Sequence, residues 1–314
     1  MSSQANQPLP EGFQLENYRV LRLIASGGFS FVYLAHDEKE TPVAIKEYLP
    51  ATLALRTADN PSPVVPEENL ATFRYGLKCF FEEGRALATL SHPNVVRVIN
   101  FFRANDTVYL VMRYERGRTL QEHIHKKTGP IKEEWIRSTF DHLLNGLREV
   151  HSNKLLHLDI KPANIFLAMD GRPVLLDFGA ARITLSEEAL KLKPMYTAGF
   201  AAPEHYRFNP QELGPWADIY SVGATIYTCI AGTPPQAADA REKKDQMIPL
   251  KSLARQPYSE DLYAITNECL ALDYMQRPQT AFDLQKRLME EPVEEKKSSF
   301  FDTLSKPVSK LFSR

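Results

Sequence analysis

Apolar residues in the first third of the chain alternate with polar ones, whereas further along they recur every three or four positions. Alternation over 18–24, 31–36, 43–47, 95–102 and 107–112 predicts five strands. The gaps carry turn chemistry: two adjacent glycines lie between Ala25 and Ser30, and Ala104-Asn105-Asp106 joins the last two strands. Helical spacing over 73–90 predicts one helix, stopped by Ser91-His92-Pro93-Asn94. Residues 50–72, with Pro61, Pro63 and Pro66, predict a long loop, and the polar residues 1–17 a flexible tail. Beyond a connection at 113–117, amphipathic helices are expected near 119–127, 131–151, 215–231, 259–270 and 279–290. Strands followed by a helical block predict an α+β chain in two lobes, 18–112 and 118–290, with an amphipathic or disordered tail at 291–314.

One hairpin interrupts the helical block. Residues 164–167 and 174–176 predict two short strands joined by Met169-Asp170-Gly171-Arg172. Symmetry about Asp170 and Gly171 sets Asn164 opposite Asp177, about 4.5–5.5 Å apart. An amide oxygen and a carboxylate so placed can share a hard divalent cation such as Mg²⁺, which completes its shell with phosphate and water. Asp159, five residues earlier on an irregular loop, brings another carboxylate to the same end. Together these groups predict phosphoryl transfer.

Composition narrows the alternatives. The 314 residues are 43% apolar and 25% charged, an ordinary globular balance, and a net charge of −1 provides no field for nucleic acid or an anionic membrane. The absence of an 18-residue apolar run and of a signal-peptide start predicts a cytoplasmic protein without a transmembrane segment. Cys79, Cys229 and Cys269 lack metal or disulfide spacing and are expected as buried small hydrophobes. His123 and His125 point to different helix faces, which argues against a metal pair.

The order Asp159-Ile160-Lys161-Pro162-Ala163-Asn164, then Asp177-Phe178-Gly179, resembles the eukaryotic-type protein kinases, in their bacterial serine/threonine branch. The resemblance covers about residues 18–290. It implies a two-lobed kinase fold, with a five-stranded antiparallel lobe bearing one helix and a large mainly helical lobe, and it implies ATP with Mg²⁺, or Mn²⁺ in its stead. Asp159 would be the catalytic base, Lys161 would neutralise the γ-phosphate, and Asn164 and Asp177 would hold metal. Strand alternation sets Ala44 and Lys46 on one face. Glu83 shares a helix face with Phe80, Leu87 and Leu90, so it points inward, and the family would pair it with Lys46. From Ile24 and Ala25 through Ser26, Gly27, Gly28, Phe29 and Ser30 to Val32, the chain occupies the place of the phosphate-covering loop but keeps only its middle glycine, Gly27. Val32 and Phe166 would enclose the adenine, with Ala44 beside Val32, Met112 as gatekeeper and Tyr114 in the hinge.

The segment from Thr197 to Glu204 resembles the end of a serine/threonine kinase activation segment. Thr197 would bridge Asp159 and Lys161, Glu204 would pair with Arg277, and Asp218 would bond the catalytic-loop backbone. Leu158 stands where many kinases carry an arginine that grips a phosphorylated loop, so activity is expected without phosphate at Thr184, Ser186 or Tyr196. The implied function is a serine/threonine protein kinase acting on protein substrates, itself included, with a binding-only pseudokinase or a small-molecule phosphotransferase as alternatives. The 37 residues from Lys46 to Glu83 include Glu47-Tyr48-Leu49-Pro50 and Arg56, and form either a partner-docking insertion or a plain surface loop. In the tail, Phe300, Phe301, Leu304, Val308, Leu311 and Phe312, with Lys306, Lys310 and Arg314 nearby, suit a membrane surface or a partner, although Pro307 would break a helix there.

Overall fold

The computed structural model describes residues 6–178, 197–207 and 209–290. Gly179, Thr184, Ser186, Tyr196 and the tail 291–314 lie outside the described residues. The N-terminal part is a sheet of β1 (Gln14–Leu15), β2 (Tyr18–Ser26), β3 (Ser30–His36), β4 (Pro42–Tyr48), β5 (Val98–Ala104) and β6 (Thr107–Arg113), in the order β1-β2-β3-β4-β6-β5. Helix α1 (Leu70–Ala88) buries Phe73, Phe80, Glu83 and Leu87. Gly76 has no Cβ to collide with the Tyr48 hydroxyl, so the Tyr48 ring fits between Phe73 and Phe80, at 5.4 and 5.6 Å.

Three expectations change here. The sheet has six strands rather than five, because β1 arises from the stretch expected as a tail. Leu9 and Leu15 are buried, and the Leu9 N–H donates to the Tyr33 hydroxyl at 3.1 Å. Two leucines among polar residues make no period, yet burying each contributes about 1.5–3 kcal/mol once the sheet exists to receive it. The 50–72 connection is also more than a surface loop: Leu55 and Val64 form a bridge, and the Arg56 side chain is buried. Cys229 and Cys269 are buried as expected, whereas Cys79 is only half-buried.

The C-terminal part contains β7 (Gly117–Thr119), α2 (Leu120–Lys126), α3 (Glu133–Ser152), β8 (Ile165–Ala168), β9 (Pro173–Leu175), α4 (Pro203–Tyr206), α5 (Pro215–Ala231), α6 (Ala238–Lys243), α7 (Leu250–Leu253), α8 (Glu260–Cys269) and α9 (Ala281–Met289). Thr119, Ser259 and Thr280 accept the N–H groups of Glu122, Leu262 and Asp283 at the starts of α2, α8 and α9. Each such cap is worth about 1 kcal/mol. α5 is buried on every side from Ala217 to Ile230, where its apolar residues are interrupted by Asp218, Ser221, Thr225 and Thr228, each hydrogen-bonded. Among the described residues no helix is long and apolar enough to cross a membrane.

The two parts join through Asn94. Its Nδ2 donates to the Pro173 carbonyl at 2.7 Å, its carbonyl accepts the Leu175 N–H at 2.9 Å, and the Val96 N–H reaches the Leu175 carbonyl at 2.9 Å. Gly146 of α3 permits this approach, since a side chain there would strike the Asn94 backbone. The segment entering β5 is thereby pinned to the hairpin that carries the candidate site.

Candidate active site

A cleft of about 740 Å³ separates the sheet from the helical part. Ile24, Ala25, Val32, Ala44, Met112 and Phe166 line its apolar wall, Tyr114 lies at its edge, and Lys46, Glu83, Asn164 and Asp177 supply polar groups. Ala44 pairs with Met112 across β4 and β6, and the alternation of β4 turns Ala44 and Lys46 to the cleft together. Ser26, Gly27, Gly28, Phe29 and Ser30 do not line the cleft; they form the tip of the β2–β3 hairpin, closed by the Gly27 N–H on the Ser30 carbonyl at 2.9 Å.

The hairpin register differs by one residue from the expected one. Ile165 pairs with Leu175 and Phe166 with Val174, and the Leu176 N–H donates to the Asn164 carbonyl at 2.8 Å, so Leu176 rather than Asp177 stands level with Asn164. Gly171, at φ 84, causes the shift: the Gly171 N–H bonds the Ala168 carbonyl and the Ala168 N–H bonds the Arg172 carbonyl, which closes a three-residue loop instead of a two-residue turn. A slip of one residue turns a strand's side chains to the other face. Asp177 still lines the cleft because its backbone leaves the strand at φ 59, a left-handed conformation that costs about 1–3 kcal/mol for a residue with a side chain.

The loop bearing Asp159 is held from below by Asp218. This fully buried carboxylate accepts the His157 N–H at 2.9 Å, the Leu158 N–H at 2.7 Å and the His151 ring Nε2 at 2.8 Å. Burial alone would raise the Asp218 pKa, but His151 and the other donors hold it below the carboxylate range. Leu158 adopts φ 59 with its side chain in the core, where no phosphate could reach it. Burial lowers the His157 pKa against the opposing pull of Asp218, which keeps the ring neutral. Its Nε2 faces the Leu176 carbonyl at 2.9 Å and its Nδ1 faces the Asp159 N–H at 3.3 Å, so the proton resides on Nε2. This ring, tilted by 38° against Phe178 at 4.3 Å between centroids, ties the Asp159 loop to the strand that leads to Asp177. The expectations above gave His157 no role, although its place two residues before Asp159 was the available signal.

Thr197 bridges Asp159 and Lys161 as expected. Its Oγ1 donates to Asp159 Oδ1 at 3.0 Å and accepts from Lys161 Nζ at 2.7 Å, and Lys161 also reaches Asp159 Oδ2 at 2.8 Å. Glu204 and Arg277 form the expected ion pair, both side chains fully buried, at 2.7 and 3.1 Å. Lys46 differs: its ammonium meets the Asp177 carboxylate rather than forming the expected direct contact with Glu83. Burial works to lower the Lys46 pKa, yet the carboxylates of Asp177, Glu83 and Asp159 outweigh it and raise it. Burial likewise works to raise the Asp177 pKa, and the Lys46 ammonium overrides it, holding the carboxyl below its ordinary range. Both groups are therefore charged at neutral pH. Within α1, Glu83 is buried and Glu82 turns out to pair with Arg85, as the helix-face assignment requires.

Asn164 and Asp177 fit a divalent cation. The Asn164 Nδ2 donates to both the carbonyl and Oδ2 of Asp159, at 2.9 and 2.8 Å, which turns its amide oxygen away from Asp159. The Asp177 side chain is ionised and 44% exposed to the cleft. Among the described residues no group of three or more His, Cys, Asp or Glu could hold a metal. An amide and one carboxylate suit a hard ion that takes its remaining oxygens from phosphates and water.

A family profile described as a protein kinase domain matches residues 18–289. Serine/threonine-protein kinase B of Synechocystis sp. is 30% identical over 244 residues, covering 73% of this chain and 39% of that protein. Serine/threonine-protein kinase PknH of Mycobacterium bovis is 31% identical over 226 residues, 71% of this chain and 34% of its own length. The chain thus spans well under half the length of these curated relatives. A solved structure described as PpkA-294 apo form superposes with a TM-score of 0.81 at 35% identity, covering 90% of this chain and 99% of that one.

Proposed function

The chain belongs to the protein kinase domain family, for which ATP and a divalent metal are general requirements, and from that premise we propose that it transfers the γ-phosphoryl group of ATP to serine or threonine hydroxyls of protein substrates. The observation that carries this is the closed set of side-chain hydrogen bonds joining Asp159, Lys161, Asn164 and Thr197 at the cleft. Asp159 accepts the proton of the incoming hydroxyl and orients its oxygen for in-line attack. Lys161, already bonded to Asp159, is placed to balance charge on the transferring group. Lys46 holds phosphate oxygens while Val32, Ala44 and Phe166 enclose the base. Mg²⁺, with Mn²⁺ as substitute, would be held by Asn164 and Asp177 and would neutralise phosphate charge. Thr197, bonded to the base and to Lys161, gives the acceptor side the form expected for a polypeptide. The net charge of only −1 and the lack of a spanning helix among the described residues support a cytoplasmic place of action.

The test is incubation of wild type and Asp159→Ala with γ-labelled ATP, Mg²⁺ and acceptor proteins, followed by phosphosite mapping. Label on serine and threonine in wild type alone is expected. Label that survives the substitution would remove Asp159 from its role, and label on small molecules alone would favour a phosphotransferase.

A further inference from the structure

Where the chain leaves β4, residues 49–56 form a strap held also by the Leu55–Val64 bridge and by Asn6 Nδ2 on the Ala54 carbonyl, and two of its attachments bear on the β2–β3 tip and on β4. One extends the β3–β4 ladder past the Ser30–Tyr48 pair: the Leu49 N–H donates to the Phe29 carbonyl at 2.8 Å, and the Ala51 N–H to the Gly28 carbonyl at 2.9 Å. The other is Arg56, only 2% exposed, whose guanidinium fork grips both oxygens of the fully buried Glu47. Glu47 follows Lys46 directly on β4, and it also accepts the hydroxyls of Tyr33 and Tyr109 at 2.7 Å each. Arg56 donates further to the Tyr33 hydroxyl at 2.9 Å and to the Gln7 carbonyl at 2.7 Å, and its backbone N–H is taken by Asn6 Oδ1. A buried ion pair repays its desolvation only when its donors and acceptors are met. Here four bonds converge on one carboxylate, which leaves the strap a single position.

We infer that Arg56 is a positioning residue for nucleotide binding: through the 49–56 strap it sets the backbone of Gly28 and Phe29 at the β2–β3 tip, the stretch that occupies the place of the family's phosphate-covering loop. This rests on the kinase activity proposed above. The hairpin tip keeps one glycine of the family's three and does not line the cleft, so the two strap bonds supply the order that the loop needs before ATP arrives.

Ala51 permits a local test. Leu53 and Ala54 donate to the Pro50 carbonyl at 3.0 and 3.1 Å, which makes Ala51 the second residue of a turn, the position proline favours. Ala51→Pro in the full chain therefore deletes the bond to Gly28, sets the ring Cδ against that carbonyl so that the tip must shift, and leaves the turn. The expected result is an ATP Kd weakened about three- to tenfold by titration calorimetry, the loss of one hydrogen bond. Deuterium uptake at 26–30 should rise in nucleotide-free protein, with kcat and the urea midpoint level. Arg56→Lys, which keeps the charge and loses the fork, should move Kd and uptake in the same direction. Unchanged ATP affinity, unchanged uptake at 26–30, or a fall in kcat without a change in Kd would overturn the inference. A wild-type chain that binds no ATP would instead defeat the kinase proposal, and that measurement comes first.

Discussion

On the floor of the cleft, Asp159, Lys161, Asn164 and Thr197 bond one another through their side chains, and their loop hangs from the buried Asp218. Across the gap, Gly28 and Phe29 are tied by two backbone hydrogen bonds to Ala51 and Leu49. The floor must hold a base and a lysine to within fractions of an ångström, because misplaced catalytic groups lose rate steeply. The roof, proposed to cover a nucleotide, is ordered by those two backbone bonds instead. Side-chain bonds thus order the proposed catalytic groups, and main-chain bonds the proposed nucleotide-covering tip.

The sharpest way to break this contrast is at the base itself. Asp159→Ala should lower kcat by about 10²–10⁴, the usual scale of general-base catalysis. A kcat within the wild-type range would refute a floor built for chemistry. Next comes the scaffold below the floor. Glu204→Ala strands Arg277 without its partner in a fully buried site and should cost about 3–5 kcal/mol in urea denaturation. A loss under about 1 kcal/mol, the scale of surface pairs, would show that this pair is not a support.

A smaller effect concerns pH. His157 has a folded pKa depressed below the ordinary histidine value of 6.5, so its stabilising contribution is complete above that value and is lost as pH falls through the depressed folded value. His205, buried and lowered in the same way, adds to the trend. The urea midpoint should therefore fall from pH 7 to pH 5, and His157→Gln should flatten that slope; an identical slope in the variant would contradict the neutral ring. Ala51→Pro sharpens the comparison from the roof, with several-fold weaker ATP binding and an intact floor. Least of all, Thr184→Ala and Ser186→Ala should leave kcat unchanged in steady-state assays, because the buried Leu158 offers a phosphate no cation. Strong dependence on either hydroxyl would require a grip from elsewhere.

Much of the fold was legible because its signals are local. The helix expected over 215–231 is α5 (Pro215–Ala231), and the strands flanking Gly27 and Lys46 lie where alternation places them. Ala44 and Lys46 line the cleft together for the same reason. The register of the hairpin was less accessible: an Asp-Gly pair serves a two-residue turn or a three-residue loop, and the choice moves every side chain by one place. Arg56 was harder still, for nothing in its immediate neighbours distinguishes a solvated arginine from one enclosed by Glu47 and Tyr33.

Residue order alone settled the family, the alternation and helical periods, and the set of groups that can bind phosphate and metal, since each depends on neighbours a few positions away. Folding in three dimensions chose their partners. Lys46 meets Asp177 across 131 positions, and Arg56 meets Gln7 across 49. Such pairings rest on competition for buried charge between segments that no local pattern relates. Lys46 had the carboxylate of either Glu83 or Asp177 to choose from, and only the packed cleft, with Asp177 turned to a left-handed backbone, determined which one its ammonium touches.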